Sequence, residues 1–365
     1  MWPGEPGIDS GHPSFGSSHP YRLPAPDFTH LRIMTDRLGL WEHAMGQDPR
    51  PEHGFSTDDN ARGLIVVSRQ ASISGGLSDL AATYLGFVME AQTPSGGFHN
   101  RRDSHGRWID DVGSDDSQGR AWWALGTVAR LGATDWMREA GRRAFSTCAS
   151  FESTHLRANA YAVLGAAELL DVAPDDGPAL QLLQRGTGVI ASAAHDMIPW
   201  PEPRLSYDNA RIPEALMAGG SALGDPRLIA KGVRMLEYLV RVETNGDHFS
   251  FTPAFGCDLD QARPVFDQQP IEAWAMGEAC YRAWSVTGEV KWRERAIRAA
   301  RWFTGDNDTG LAVYDPATGA TGDGLTPETV STNCGGESTL AGIAALQIAM
   351  LCTADSGHEP AVYQS

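Results

Sequence analysis

Ser114-Asp115-Asp116-Ser117-Gln118-Gly119-Arg120 leads directly into residues 121–131, AWWALGTVARL, a run that is apolar nearly all round. A helix of that kind is enclosed by other helices and does not lie on a surface. Its polar charged head therefore sits at one end of a buried rod. Five other stretches repeat the arrangement: Ser56-Thr57-Asp58-Asp59-Asn60-Ala61-Arg62, His155-Leu156-Arg157-Ala158-Asn159, Tyr207-Asp208-Asn209-Ala210-Arg211, Phe266-Asp267-Gln268-Gln269-Pro270-Ile271-Glu272 and Gly335-Gly336-Glu337-Ser338-Thr339. Each precedes a run rich in Ala, Gly, Leu or Trp, as at 158–170, 273–283 and 340–351.

Between these heads lie more amphipathic, more charged segments at 77–92, 134–151, 178–195, 226–243 and 289–303, and 28–45 supplies a sixth before the first head. Six inner and six outer helices closing on themselves predict an all-α (α/α)6 barrel. The heads recur at intervals of 41 to 70 residues, which is repetition of architecture with variable loops and not a strict solenoid period. Connections from outer to inner helix are often long (93–114, 196–207, 244–266, 305–335), and those from inner to outer are short. The long loops thus gather at the face that carries the charged heads, where binding and chemistry are expected.

At 365 residues and 42% hydrophobic content, one large closed domain accommodates the chain. We expect residues 1–26, rich in Gly, Pro, Ser and His, to form a loose arm, 27–353 the barrel, and 354–365 a loose tail. No basic leader or signal core is evident, and no apolar stretch reads as long and uncharged enough to cross a bilayer. Cys148, Cys257, Cys280, Cys334 and Cys352 are odd in number and widely spaced without a Cys-x-x-Cys pair, which suggests a reduced, cytoplasmic setting and no zinc site. A net charge of -17 argues against nucleic acid or an anionic membrane as partner. No Gly-rich phosphate loop is present, and no cofactor is expected. Asp306-Asn307-Asp308-Thr309-Gly310 resembles part of a calcium loop, but it stops short of the distal Glu and reads as a turn. The loops also carry aromatics beside polar groups, as in Gly96-Gly97-Phe98-His99-Asn100 and Gly106-Arg107-Trp108. Sugars need this combination, with flat faces for C–H stacking and polar groups for hydroxyls.

The paired rings and acidic mouth resemble the six-hairpin, or (α/α)6-barrel, glycosidase superfamily. More narrowly, residues 53–62, 113–120, 206–211, 267–273 and 333–339 resemble a bacterial glycosidase-related barrel family found alone or fused behind group 1 glycosyltransferases. The resemblance spans roughly residues 28–352, with Cys334 standing where Gln is expected. It implies a carbohydrate-active protein and a functional association with glycosyltransferases.

Glycosidic cleavage needs one carboxylic acid to protonate the leaving oxygen and one carboxylate to activate water or attack carbon. In barrels of this type inversion is the usual outcome, with the two groups roughly 6.5–9.5 Å apart. Asp59 and Asp116 are the first candidates, followed by Asp58, Asp208, Asp267 and Glu337. An Asp at a helix head is also an ordinary cap. The doublets Asp58-Asp59 and Asp115-Asp116 exceed that need, because one carboxylate suffices and a neighbouring like charge raises a pKa. Substrate contacts are expected from His53, Trp108, Asp115, Arg62, Arg120, Arg157, Tyr207, Asn209, Arg211, Gln268 and Gln269. For the arginines the competing role is to hold a nearby Asp, and Glu272 is a candidate buried partner for one of them. An epimerase or isomerase on the same barrel would use a pair of histidines, with His53, His99, His105, His155 and His248 available. A glycan phosphorylase or a non-catalytic glycan-binding partner would use the same mouth.

Overall fold

The structure, a computed structural model, describes residues 23–70, 76–193 and 199–354. Among these residues twelve α-helices alternate between two rings: Thr29–Ile33 (α1), Thr57–Ser68 (α2), Gly76–Ala91 (α3), Asp115–Leu131 (α4), Asp135–Phe145 (α5), Leu156–Leu170 (α6), Gly177–Ala193 (α7), Arg211–Leu223 (α8), Pro226–Val242 (α9), Pro270–Thr287 (α10), Val290–Arg301 (α11) and Gly336–Ala354 (α12). The even-numbered helices form the inner ring: α2 packs on α4, α4 on α6, α6 on α8, α8 on α10, α10 on α12, and α12 closes back onto α2. Each odd-numbered helix backs an inner one, α3 on α2 through α11 on α10, with α1 on α12. This is the expected all-α (α/α)6 barrel.

Small residues let the inner helices approach closely. A side chain at Gly126 would put its Cβ 2.0 Å from the Gly165 carbonyl oxygen, and one at Gly119 would lie 2.4 Å from that of Ala158, so α4 and α6 meet backbone to backbone. The axis is filled by Trp123, stacked 6.1 Å from Tyr161 and 6.2 Å from Trp274.

The sixth outer position differs from the single helix expected over 28–45. Only α1 is helical; short antiparallel pairs follow, Thr35–Asp36 with Gly39–Leu40 and Ala44–Met45 with Asp48–Pro49. The chain breaks because it docks on α2: Leu40 N–H donates to Asn60 Oδ1 at 2.9 Å, and a Cβ on Gly39 would come within 2.8 Å of both Asn60 and Phe87. Outer helices expected to reach 151 and 303 end at Phe145 and Arg301, each followed by a 3-10 turn (Cys148–Ser150 and Trp302–Thr304). The expected end of the 178–195 helix passes into residues 194–195, outside the described residues.

One expectation about the membrane needs correction: α12 is long and apolar enough by composition to cross a bilayer, yet 72% of that window is buried inside the fold. Its apolar surface is the all-round surface of an inner-ring helix. Of the expected arm, residues 1–22 lie outside the described part, as do 355–365 of the tail. Asp27 is tied down by Tyr314, whose hydroxyl accepts its N–H at 2.9 Å. The 306–310 segment is an Asx-type turn in which Asn307 Oδ1 accepts from the N–H groups of Thr309 and Gly310, both at 3.1 Å.

Candidate functional site

The charged heads converge at the end of the barrel where the inner helices begin. Capping there falls mainly to serines. Ser56 Oγ accepts the Asp59 N–H at 3.0 Å as the helix cap and donates its hydroxyl back to Asp59 Oδ2 at 2.7 Å; Ser114 Oγ accepts from Ser117 N–H at 3.2 Å. Asp58, Asp115 and Asp116 are thereby left for other work.

Two buried arginines organise the carboxylates. Arg62 donates Nη1 to Asp59 at 2.8 Å and pairs Nη2 with Glu337 at 2.7 Å, joining α2 to α12. Arg120 donates Nη1 to Asp58 at 2.8 Å and lies 3.8 Å from Asp116 and 3.7 Å from Asp208. Its Nη2 donates to the Tyr161 hydroxyl at 2.7 Å, and the guanidinium rests 4.3 Å from the Tyr161 ring centroid. Tyr161 in turn donates to Asp208 Oδ2 at 2.6 Å, and Tyr207 donates its hydroxyl to Asp116 Oδ2 at 2.6 Å. Asp58, Asp116 and Asp208, from three different helix heads, thus share one guanidinium.

The consecutive aspartates of α2 are driven apart in acidity. Burial pushes Asp59 up to about 7, against the pull of Arg62 and with a further push from Glu337 and Glu42. Burial would raise Asp58 too, but Arg120 and Arg62 and the bonds from Arg120 and Asn100 bring it below the ordinary carboxylate range. The physical difference is burial first, the Asp59 side chain being 6% exposed against 20% for Asp58, and then charge: Arg62 also serves Glu337, whereas Asp58 sits between two cations. Carboxyls of opposed proton affinity are candidates for acid and base roles, although ion-pair networks of purely structural kind shift pKa values too.

Accessibility sorts the remaining candidates. The side chains of Glu337 and Asp115 are 37% and 45% exposed, and Asp116 and Asp58 are partly open. Asp115 accepts from Ser153 Oγ at 2.6 Å, with His155 3.9 Å away. Tyr207 is 40% exposed, its ring 4.8 Å from the Arg157 guanidinium. Arg157 also donates to Glu202 at 2.9 Å and to Asn209 Oδ1 at 2.9 Å, and its Nε bonds the Tyr207 carbonyl, so it holds the Tyr207 loop. Asp267 is exposed at the head of α10, and Gln269 is the residue before Pro270 there. Trp108 stacks on His99 at 5.3 Å, with Phe87 edge-on at 5.2 Å. His53 ends a 3-10 turn (Pro51–His53), its ring edge-on to His43 at 4.9 Å.

Four expectations change. Arg211 is fully buried, sandwiched between Trp123 at 4.6 Å and Trp274 at 4.9 Å, and paired with Asp208 at 3.3 Å, Glu214 at 2.8 Å and Glu278. It anchors Asp208 from below and does not face the mouth. Gln268 is also fully buried; its amide nitrogen donates to Val265 O at 2.9 Å and Asp308 at 2.6 Å, and its oxygen accepts from Trp302 at 2.9 Å, which locks the loop before α10. Among the described residues Glu272 pairs with no arginine: its carboxylate accepts the Asp208 N–H, and the Asn209 N–H at 3.3 Å and side-chain amide at 3.4 Å. Burial, with Glu243 and Asp208 close by, raises Glu272 well above the usual range. Asn209, fully buried between Glu272 and Arg157, serves the same scaffold. Asp208 adopts φ 49, one of the strained left-handed positions that Asp tolerates, so the turn places its carboxylate against Arg120.

Sequence reasoning missed Tyr161, Glu42, Glu202 and Asn100. Tyr161 lies four residues after Arg157, on the same face of α6, and that spacing was its signal. Glu42, bonded by Arg101 at 2.5 Å, lay hidden within a segment read as helix. Among the described residues no group of three or more His, Cys, Asp or Glu side chains is placed to hold a metal ion.

No family model matches the chain, and no curated protein matches it. Solved structures do share its fold. A sugar epimerase from a ruminal bacterium superposes with TM-score 0.67 at 13% identity, covering 89% of this chain and 95% of that one. A D-mannose isomerase gives 0.65 at 10%, covering 88% and 94%. An inactive variant of an alpha-1,6-mannanase from Salegentibacter sp., with two consecutive aspartates changed to asparagine and alpha-1,6-mannotriose bound, gives 0.60 at 10%, covering 89% and 96%. At these identities the likeness establishes the (α/α)6 barrel.

Proposed function

We propose that this protein is a glycoside hydrolase acting on a neutral bacterial oligo- or polysaccharide, in which Asp59 supplies the proton and Asp116 the base. The observation that carries the reading is the contrast between two neighbouring heads: Asp59 is buried and holds its proton, whereas Asp116 is partly open, 3.8 Å from Arg120 and bonded by the Tyr207 hydroxyl. Asp59 keeps its proton to about pH 7, as a general acid must. It would pass that proton to the glycosidic oxygen as the C–O bond breaks, while Asp116, held by Tyr207, takes a proton from the water that attacks the anomeric carbon. Both Asp59 oxygens already have partners, Ser56 and Arg62, so a sugar oxygen must displace one of them. Inversion is proposed from the resemblance to barrels of this type, in which the acid and base stand roughly 6.5–9.5 Å apart with water between them. The mannanase lends support, since its inactive form lacks two consecutive aspartates. We further propose a cytoplasmic setting, from the five free cysteines, and an association with glycosyltransferases, from the sequence resemblance.

A second reading has its own observation: the edge-on His43–His53 pair lies beside the mouth, with Glu42 3.9 Å from His43, and the epimerase and isomerase share the barrel. Incubating the protein with neutral glycans in D2O separates the two. Hydrolysis yields new reducing ends, lost in Asp116→Asn. Epimerisation leaves chain length unchanged and exchanges hydrogen at the carbon next to the anomeric centre.

A further inference from the structure

The mouth carries an exposed aromatic that the catalytic reading does not use. Phe255 is 63% exposed at the corner of a turn closed by the Gly256 N–H on the Pro253 carbonyl at 2.7 Å. This turn is fixed from two sides. Ala254 N–H donates to the Asp267 carbonyl at 2.8 Å, just before α10, and Arg204 donates to the Phe255 carbonyl at 2.6 Å. The next residues, Cys257–Asp258, pair as a short strand with Arg204–Leu205, which Ser206 separates from Tyr207. A Cβ on Gly256 would lie 2.4 Å from the Leu205 carbonyl and 3.1 Å from Ser206 Cα, and its φ of 71 is a left-handed one that suits glycine. Phe255 and Tyr207 therefore each flank the same close backbone contact, on the rim between the heads of α8 and α10. Tyr207 already reaches Asp116 through its hydroxyl.

A single exposed Phe is ordinary. One held on a turn braced at both shoulders, whose backbone packs against the segment that carries the exposed Tyr207, is a preformed apolar platform. We infer that Phe255 is an outer stacking subsite for a further sugar unit of the chain bound at the mouth, and sets a preference for oligosaccharides over shorter glycans. This rests on the carbohydrate reading of the mouth, but not on hydrolysis.

The test measures binding, so it is independent of turnover. Affinities of the full-length protein and of Phe255→Ala and Phe255→Trp are measured by calorimetry against manno- and cello-oligosaccharides of increasing length. Affinity is expected to rise with length in the wild type; Phe255→Ala should lose roughly tenfold on the longer chains and nothing on the disaccharides, while Phe255→Trp keeps the gain. Equal affinities of wild type and Phe255→Ala for every chain would overturn the inference, as would no dependence on length, or a change of oligomeric state in Phe255→Ala, which would make the platform a self-contact. Loss of catalysis in Asp116→Asn with length-dependent binding intact tests the hydrolase reading separately.

Discussion

Replacing Glu337 by Gln should make Asp59 a stronger acid. Arg62 bridges the two carboxylates at 2.8 and 2.7 Å, so one positive charge now serves two negative ones. At roughly 7 Å apart, the span of a guanidinium bonded on both sides, and an effective dielectric near 20, two carboxylates repel by about 2.4 kcal/mol. Glu337 is 37% exposed, so solvent screening reduces this, and we take about half, equivalent to about 1 pH unit at 1.36 kcal/mol per unit. Removing the charge should therefore lower Asp59 from about 7 by about 1 unit. Carboxyl NMR of the protein labelled at aspartate reads this directly, and in the active enzyme the alkaline limb of kcat/KM should fall in step. An Asp59 titration that stays in place or moves upward would refute the shared-arginine explanation.

Other consequences follow from the same contacts. Because the folded-state pKa of Asp59 is raised, its contribution to stability is complete below the unfolded value of 3.8 and is lost as pH rises through about 7; urea melts of Asp59→Asn should lack that decline. Tyr207→Phe keeps the ring but removes the bond to Asp116, and should lower kcat on the order of a hundredfold with KM little changed if Asp116 is the base; a KM effect alone would point to stacking only. Arg211→Met leaves Glu214 without its arginine and takes one of two cations from Asp208 and Glu278, which keep Arg120 and Arg69, and should cost about 3–5 kcal/mol in chemical denaturation, against near-neutrality if the column were wet and screened. Gly126→Ala drives a methyl into the Gly165 carbonyl and should destabilise by about 1–3 kcal/mol or more; an unchanged midpoint would mean that α4 and α6 can separate at little cost.

Much of the barrel was legible because an inner helix leaves a distinctive record. Residues 121–131 and 340–351 are apolar on every face, and a charged head precedes each. The segment 28–45 was misread because its composition suits a helix, while the break depends on Gly39 fitting between Asn60 and Phe87, a contact between residues far apart in sequence. At the site, spacing gave direction but not depth. Arg62 and Arg211 each follow an Asp by three residues, yet Arg62 reaches Glu337 at the rim and Arg211 is enclosed between Trp123 and Trp274. Nothing local distinguishes them; α12 and α10 do. Gln268 was likewise assigned to substrate from its place beside Asp267, whereas its partners Asp308 and Trp302 come from the following loop. The serine caps could be read from Ser56 and Ser114 directly, and they are what leave the doublets available.

The most direct test of the central claim is product analysis on a panel of neutral α- and β-linked glucans, mannans, arabinans and galactans, followed by time-resolved anomeric NMR. The account predicts new reducing ends that first appear with inverted configuration and vanish in both Asp59→Asn and Asp116→Asn. Reducing ends that persist in either variant, or substrate of unchanged length epimerised next to its anomeric carbon, would contradict it.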